Sequence, residues 1–336
     1  MATARKKLEE YLTRRTEWRN SRIERLTPDA STREYFRILW KEKPAVACVY
    51  PEPFSPEEQT YLDVTRLFLT DGLPVAEIYN FDGPAGIIIQ EDLGNRILRD
   101  VLQETGKETA ENYLNRAIGL IARIQKLTET AFAVNSIASR LKFDREKLNW
   151  ELDFYKTHYF TSLRKKPLSP ETDQLLFGEF CQLSEELEGF AGVLCHRDYH
   201  AANLMLDSQD QLRIIDHQDA RIGPVSYDLV SLLLDRVLET PAPGFIKNKK
   251  DVFLSEREKL GLENHRGLQF DYEFDLMTVQ RCLKAIGTFS NQTANCGKKG
   301  YTKFIKPMYR IVLEASERLQ KFPVLQEIIK TELEIS

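Results

Sequence analysis

The chain has few cysteines and no long apolar run, and each absence excludes a class of protein. Its 336 residues contain five cysteines, an odd number, and no two of them form a Cys-x-x-Cys pair. A disulfide framework or a structural zinc site is therefore not expected. No apolar run approaches the length of about 20 residues that a membrane-spanning helix needs. The sequence predicts a reduced, cytoplasmic protein.

Neither sign of charge dominates. The 47 Lys and Arg residues face 51 Asp and Glu residues, which leaves a formal net charge of −4. This balance gives no electrostatic reason to expect a nucleic acid or an anionic membrane as a partner. The first ten residues are charged rather than apolar, unlike a secretory signal peptide.

The first part of the chain favours a small β-rich lobe. Strand-forming residues at the end of segment 27–40 and in segment 45–50 predict a β-hairpin. Segment 56–70 places apolar residues at helical spacing. Segment 86–94 is a short apolar strand that leads into an acidic turn. We assign residues 1–92 to an N-terminal lobe.

The rest of the chain is mostly helical in its pattern. Apolar stripes of helical period mark several segments, and two short strands interrupt them. The predicted helices cover residues 114–124, 145–160, 171–190 and 308–322, and the predicted strands cover residues 203–207 and 212–216. The predicted fold class is α+β, with a larger, mostly helical C-terminal lobe formed by residues 93–336.

One segment carries a pattern typical of phosphoryl transfer. It contains His196-x-Asp198-x-x-x-x-Asn203, and Asp216 follows Asn203 by thirteen residues, after the second short strand. This spacing matches a kinase catalytic loop and its metal-binding aspartate. Asp198 is the candidate base for an acceptor hydroxyl. Asn203 and Asp216 offer hard oxygen ligands that suit Mg²⁺.

Two further residues are candidates for supporting this loop. His196 is expected to brace the loop by hydrogen bonding rather than to take part in the chemistry. Asp228 begins an apolar helix, where a carboxylate is favoured by the helix dipole. It can cap that helix, tie down the catalytic loop, or do both.

The same residues allow a second interpretation, a hydrolytic metal site. His196, Asp198 and His200 alternate along the chain, and imidazole with carboxylate suits zinc or a di-metal centre. The HExxH pattern of zinc proteases is absent because Arg197 takes the place of the Glu. A hydrolase would also leave the position of Asn203 unexplained, so we favour the kinase.

Six segments of the chain resemble the aminoglycoside phosphotransferase superfamily. Within it they are most similar to the kinases that phosphorylate N-acetylmuramate and N-acetylglucosamine at the anomeric position. In order, the segments are residues 29–37 (DASTREYFR), 90–94 (QEDLG), 196–205 (HRDYHAANLM), 216–220 (DHQDA), 223–233 (GPVSYDLVSLL) and 280–289 (QRCLKAIGTF). The central block is specific for the superfamily, whereas the DAS, QDA and GTF elements indicate the amino-sugar branch.

The resemblance implies a protein-kinase-like, two-lobed fold that binds ATP and Mg²⁺, acts on a small-molecule sugar and is a monomer. It implies that Asp198 is the base and that Asn203 and Asp216 hold the metal, with Asp219 as a further metal or substrate ligand. The implied nucleotide-binding residues are Gln90, Glu91, Asp92 and Leu93 at the adenine, and Asp29, Ser31, Thr32 and Arg33 over the phosphates.

The chain departs from the family pattern at three places. The loop over the phosphates has no glycine run. The lysine that typical kinases carry on a strand is missing, because Cys48 and its neighbours occupy the expected place. Arg33 or Arg37 is a candidate substitute, although ordinary surface charge is the competing explanation. His217 stands where the branch usually has Phe.

The acceptor is the least determined feature. The resemblance favours the anomeric hydroxyl of N-acetylmuramate or N-acetylglucosamine in cell-wall sugar recycling. The alternatives are an aminoglycoside- or choline-type kinase, and a pseudokinase-like scaffold suggested by the missing lysine. Four residues of one predicted helix are candidates to border the acceptor, although a polar helix face explains them as well: Glu151, Asp153, Tyr155 and His158.

Overall fold

The computed structural model describes residues 3–14, 22–26, 33–263 and 267–334. It divides into two compact units. The sheet unit comprises the residues up to Ala110 together with Ala201–Asp219, and the helical unit comprises Glu111–His200 and the residues from Ala220 onward. The predicted α+β class, with a small antiparallel sheet near the N-terminus and a mostly helical remainder, is confirmed.

The elements follow one another along the chain, with a π-helical turn after the seventh helix and short 3₁₀ turns elsewhere. They are α1 (Ala4–Thr13), β1 (Glu24–Leu26), β2 (Glu34–Trp40), β3 (Lys43–Val49), α2 (Thr60–Thr70), β4 (Ile78–Asp82), β5 (Ile87–Glu91), β6 (Arg96–Ile97), α3 (Leu98–Glu104), α4 (Lys107–Lys126), α5 (Thr128–Ala133), α6 (Ile137–Arg140), α7 (Arg145–Lys156), α8 (Pro170–Phe190), β7 (Val193–Cys195), β8 (Leu204–Leu206), β9 (Leu212–Ile214), β10 (Arg221–Gly223), α9 (Tyr227–Leu234), α10 (Pro243–Lys259), α11 (Leu268–Ala294), α12 (Ile305–Leu319) and α13 (Pro323–Glu334).

The main sheet has five antiparallel strands in the order β1-β2-β3-β5-β4. Residues of opposite parity along a strand point to opposite faces. One face buries Phe36 and Ile38 against Leu8 of α1. The other face buries Cys48 and Ile88 against α2. The predicted hairpin is confirmed as β2–β3, and the helix predicted over 56–70 begins at Thr60.

A second, three-stranded sheet in the order β6-β8-β9 belongs to the sheet unit. Its β8–β9 hairpin pairs Leu204 with Ile214, which confirms the two short strands predicted from the sequence. The amide of Ile215 donates to the carbonyl of Asn203 at 3.1 Å, so the two ends of the hairpin are held together. This places the residue before β8 beside the residues after β9.

The helical unit is built around α11, which packs against α7, α9 and α12. Gly287 lies where α11 meets α7, and a Cβ atom there would be 2.6 Å from the Cα of Tyr155. The predicted helices around 145–160, 171–190 and 308–322 are confirmed. Within the described ranges, no helix is long and apolar enough to span a membrane.

The lobe boundary after residue 92 stays a prediction. The compact units differ from it, because residues 93–110 and the β8–β9 hairpin group with the N-terminal sheet. Each unit carries candidate site residues of its own.

Candidate active site

In the helical unit, Asp228 holds the start of the catalytic loop. It lies in the first turn of α9 and is fully buried. The backbone amide of His196 donates to its Oδ2 at 2.7 Å, and the amide of Arg197 donates to its Oδ1 at 3.0 Å. Burial raises the pKa of Asp228, although His196 and these two amides favour the ionised form. Asp228 thus stands at the helix start and also ties down the loop.

The loop that Asp228 holds is strained. Arg197 has a φ of +84°, a left-handed conformation that non-glycine residues rarely adopt. Strain of this kind persists where the surroundings over-determine it, which is common at functional sites. Next to it, the buried ring of His196 packs edge-on against Tyr199, at 5.5 Å between centroids. His196 therefore lies inside the fold beneath the loop.

Asp198 is surrounded by three cations, which we name the cationic cluster: Arg197, Arg281 and Lys284. Its Oδ1 lies 3.4 Å from Nη2 of Arg281 and 3.5 Å from Nζ of Lys284. Its Oδ2 lies 3.9 Å from Nη1 of Arg197. Its side chain remains 30% exposed. Burial by itself would raise the pKa of Asp198, but the cationic cluster outweighs it and holds the pKa well below its usual range.

A second carboxylate, that of the buried Glu151 in α7, contacts the cationic cluster. It is 1% exposed and accepts a hydrogen bond from Nε2 of Gln280 at 2.9 Å. Its Oε1 lies 3.7 Å from Nζ of Lys284. Burial opposes ionisation of Glu151, but Lys284 and Gln280 lower its pKa below the usual value. Lys284 therefore bridges two carboxylates.

The other helix residues considered for acceptor binding have separate environments. Asp153 lies 3.3 Å from Nζ of Lys156. Tyr155 is fully buried, and its hydroxyl is 2.9 Å from that of Tyr309. The ring of His158 packs against that of Phe154. Among the four residues named from the sequence, Glu151 is therefore the one in contact with the cationic cluster.

Arg281 and Lys284 were not among the site residues predicted from the sequence. Both lie on α11 three residues apart, which places them on one helix face. They belong to the segment 280–289 that contributed to the resemblance, and this was the available signal. Their contact with Asp198 joins residues more than 80 positions apart, which no local pattern reveals.

In the sheet unit, Asn203 and Asp216 face one another at the end of the β8–β9 hairpin. Nδ2 of Asn203 lies 3.5 Å from Oδ2 of Asp216. Oδ1 of Asp216 accepts a hydrogen bond from Nε2 of Gln218 at 2.9 Å and lies 3.7 Å from Nη2 of Arg33. Asp216 has a φ of +63° and its side chain is exposed.

These donors fit a magnesium ion. Carboxylate and amide oxygens are the hard ligands that Mg²⁺ prefers, and it keeps several waters besides. The oxygen and nitrogen of the Asn203 amide are interchangeable by a side-chain flip, which would turn the oxygen toward Asp216. Asp219 is half-buried three residues further on. The donor set is thus one of oxygens. Among the described residues, no three His, Cys, Asp or Glu side chains are grouped as the zinc alternative would require.

His217 has no part in this donor set. It is fully buried, and its Nε2 lies 2.7 Å from Oγ1 of Thr65. Its ring stacks on Tyr61 at 4.9 Å and on Phe68 at 5.3 Å. It therefore occupies an aromatic site in the core, which explains how it can replace a phenylalanine.

The residues expected at the adenine use their carboxylates structurally. Oε1 of Glu91 accepts a hydrogen bond from Nη1 of Arg213 at 2.9 Å. Arg37 donates two hydrogen bonds to the carboxylate of Asp92, from Nε to Oδ2 and from Nη2 to Oδ1 at 3.1 Å. Leu93 is buried, and Gln90 is half-buried in β5. Of the residues expected over the phosphates, Asp29, Ser31 and Thr32 lie outside the described residues.

The chain is similar to a known protein family and to proteins of known activity. A sequence model described as the phosphotransferase enzyme family, APH, matches residues 22–262. A curated N-acetylmuramate/N-acetylglucosamine kinase from Neisseria meningitidis is 28% identical over 310 residues, with 90% of each chain covered. A kinase of the same name from Pseudomonas aeruginosa is 28% identical over 305 residues, covering 90% of this chain and 86% of the relative.

Solved structures confirm the kinase-like fold. A microcompartment-associated aminopropanol kinase superposes with a TM-score of 0.61 at 15% identity, covering 93% of this chain and 98% of its own. An aminoglycoside phosphotransferase solved in a ternary complex with streptomycin and ATP gives a TM-score of 0.54 at 13% identity, covering 97% and 99%. The chain belongs to the phosphotransferase enzyme family and is a kinase with a hydroxyl acceptor.

Proposed function

We propose that the chain transfers the γ-phosphoryl group of ATP to the anomeric hydroxyl of N-acetylmuramate or N-acetylglucosamine, with Mg²⁺, in cytoplasmic cell-wall sugar recycling. The observation that carries the proposal is the position of Asp198, which lies among three cations on a loop tied down by Asp228. The names of the curated relatives support the choice of sugar.

In this proposal the sheet unit holds the nucleotide. Asn203 and Asp216 hold Mg²⁺ with Asp219 nearby, and the bound ion supplies charge neutralisation on the phosphates. The side chains of Glu91 and Asp92 are already committed to arginines, so the adenine would meet backbone groups of residues 90–93. Residues 29–33 would cover the phosphates.

Asp198 would position the acceptor and take its proton. The acceptor O–H bond breaks toward Asp198 while its oxygen forms the new bond to phosphorus and ADP leaves. Because phosphoryl transfer has a loose transition state, positioning matters more than a strong base. A hemiacetal hydroxyl is also more acidic than an ordinary alcohol, since the ring oxygen withdraws electron density. An anomeric acceptor therefore needs a weaker base than an ordinary alcohol does.

The charges around Asp198 favour an anionic acceptor over a cationic one. Three cations lie within 4 Å of Asp198, and the two further carboxylates beside them are Glu151, which contacts Lys284, and the buried Asp228, which contacts backbone amides. The neighbouring Asp235 is paired with Arg236 at 3.4 Å. N-acetylmuramate carries a carboxylate, whereas choline and aminoglycosides are cations. The two arginines and the lysine beside Asp198 support the amino-sugar acid and disfavour those alternatives.

An acceptor screen with Mg·ATP tests the proposal. We would offer N-acetylmuramate, N-acetylglucosamine, other hexoses, choline and an aminoglycoside, and locate the phosphate by NMR. The expected product is an anomeric phosphate, with a higher kcat/KM for N-acetylmuramate. A phosphate elsewhere on the ring, or on choline or the aminoglycoside alone, would refute the substrate. No transfer to any acceptor would favour a nucleotide-binding scaffold.

A further inference from the structure

We propose that Arg33 supplies the positive charge on the nucleotide phosphates that a strand lysine supplies in typical kinases. This inference rests on the proposed function, because it assigns a residue to ATP binding. It concerns contacts within the sheet unit alone.

Strand β3 has no cation at its centre. Its single lysine, Lys43, is exposed at the hairpin end, opposite Trp40. Cys48 is 3% exposed and pairs with Tyr35 on one side and Ile88 on the other. Near its C-terminal end, β3 therefore carries a buried thiol where the strand lysine of typical kinases is expected.

The guanidinium of Arg33 reaches the same face of the sheet. Its Cζ lies 5.9 Å from the ring centroid of Tyr35 and 5.8 Å from that of Tyr50. Tyr35 is the direct cross-strand partner of Cys48, and Tyr50 lies two residues beyond Cys48, so both rings share the face of Cys48. Stacking on the two rings holds the cation beside Cys48.

Arg33 lies beside the proposed metal ligand Asp216 and also lines a pocket. Nη2 of Arg33 is 3.7 Å from Oδ1 of Asp216. Arg33 also lines an open pocket of about 330 Å³ together with Tyr50, Thr60 and Gln218. A guanidinium presents several N–H donors in a planar fork that matches phosphate oxygens. It therefore offers a phosphate contact next to the metal site.

Arg37, the other candidate from the sequence, is occupied elsewhere. Its fork contacts both oxygens of Asp92, and its Nη2 donates to Oδ1 of Asn95 at 2.9 Å. Those contacts fix the turn that follows β5. Between the two arginines, the geometry therefore selects Arg33.

The test measures nucleotide binding directly, by calorimetric titration with Mg·ATP, ADP and adenosine. We expect Arg33→Met to weaken binding of ATP and ADP by about 10- to 100-fold, the value of a hydrogen bond to a charged group. Adenosine binding should be unchanged because it has no phosphate. Arg25→Met is the matched control, since Arg25 is an exposed residue of β1 paired with Glu34, and it should bind all three ligands normally.

A second experiment moves the positive charge from position 33 to position 48 of strand β3. In the double variant Arg33→Met/Cys48→Lys, a lysine on β3 enters the space that the guanidinium leaves, and ATP affinity should recover by about tenfold or more. Arg33→Gln is the second variant if Arg33→Met does not fold. A double variant with wild-type thermal stability and no recovery would contradict the placement beside Cys48.

Two results would overturn the inference: unchanged ATP binding in Arg33→Met, or an equal loss for ATP and adenosine, which indicates packing rather than phosphate contact. Neither result would change the outcome of the acceptor screen, which tests the proposed function. Conversely, a phosphate-dependent loss without any transfer activity would support Arg33 and refute the proposed function.

Discussion

At the scale of single residues, the side chains around Asp198 set the pKa of its carboxylate. Its position five residues before Asn203 was predictable from the motif, because a catalytic loop is a local segment. The charge state was not predictable, because Arg281 and Lys284 come from a distant helix. The role of Asp198 in catalysis stays a prediction, and two experiments address it.

Replacing Asp198 should abolish turnover and spare nucleotide binding. Asp198→Ala removes the group that accepts the proton, and loss of a general base costs about 100- to 10,000-fold in rate. Asp198 is not among the proposed nucleotide or metal ligands, so Mg·ATP affinity should stay within about twofold of wild type. Steady-state kinetics and calorimetry measure the two effects. Undiminished turnover in this variant would remove Asp198 from the mechanism.

The pH dependence should respond to Lys284. Activity needs the ionised carboxylate of Asp198, whose pKa is depressed, so its protonation should not limit wild-type kcat/KM above pH of about 4, the ordinary Asp range. Lys284→Met removes one of the three cations and raises the pKa of Asp198, so kcat/KM of the variant should fall at the acid end of the range, where wild type stays level. Profiles of kcat/KM from pH 4 to 8 compare the two proteins. Profiles of the same shape in both proteins would contradict this prediction.

At the scale of elements, the crossing of α7 and α11 depends on one glycine. Gly287 belongs to the GTF element that indicated the amino-sugar branch. In the structure this element serves packing, since Gly287 allows the backbone of Tyr155 to approach. The same two helices carry Glu151 and Lys284, so their spacing also sets the contact between these residues. A sequence motif here reports on helix packing rather than on chemistry.

Gly287→Ala should therefore destabilise the protein. The added Cβ would meet the Cα of Tyr155 at 2.6 Å, and overpacking of this kind costs about 1–3 kcal/mol. Gly178→Ala is the matched control, because Gly178 lies in α8 with nothing within 4 Å of an added Cβ. The control should gain about 0.5–1 kcal/mol from helix propensity. Thermal and denaturant unfolding measure the change in the free energy of unfolding of each variant. A Gly287→Ala variant as stable as wild type would contradict the prediction, because α7 and α11 could then move apart without cost.

At the scale of the whole molecule, the sequence and the structure agree on class but divide the chain differently. The α+β class follows from hydrophobic period, which depends on neighbouring residues. The assignment of the β8–β9 hairpin to the sheet unit depends on contacts such as the amide of Ile214 to the carbonyl of Pro74, at 2.8 Å. No periodicity encodes such a contact, so a reading of sequence patterns cannot supply it.

Nucleotide binding should stabilise the whole protein. A ligand at about 100 times its Kd adds about 2.7 kcal/mol to the stability of the folded state. Mg·ATP should therefore raise the melting temperature by a few degrees in wild type and equally in Asp198→Ala. Asp216→Ala, which removes a proposed metal ligand, should lose most of the increase. Differential scanning fluorimetry measures all three, and no shift in wild type would argue against an ATP site.

The sequence alone determined the features that depend on short stretches of chain. These include the strand and helix periods, the spacing of Asp198, Asn203 and Asp216, and the family resemblance of ordered motifs. The tertiary structure decided the features that join distant residues: the cations around Asp198, the contact of Arg33 with Asp216 and the contact of Arg37 with Asp92. Charges interact through space rather than along the chain, so their partners emerge only when the fold brings them together.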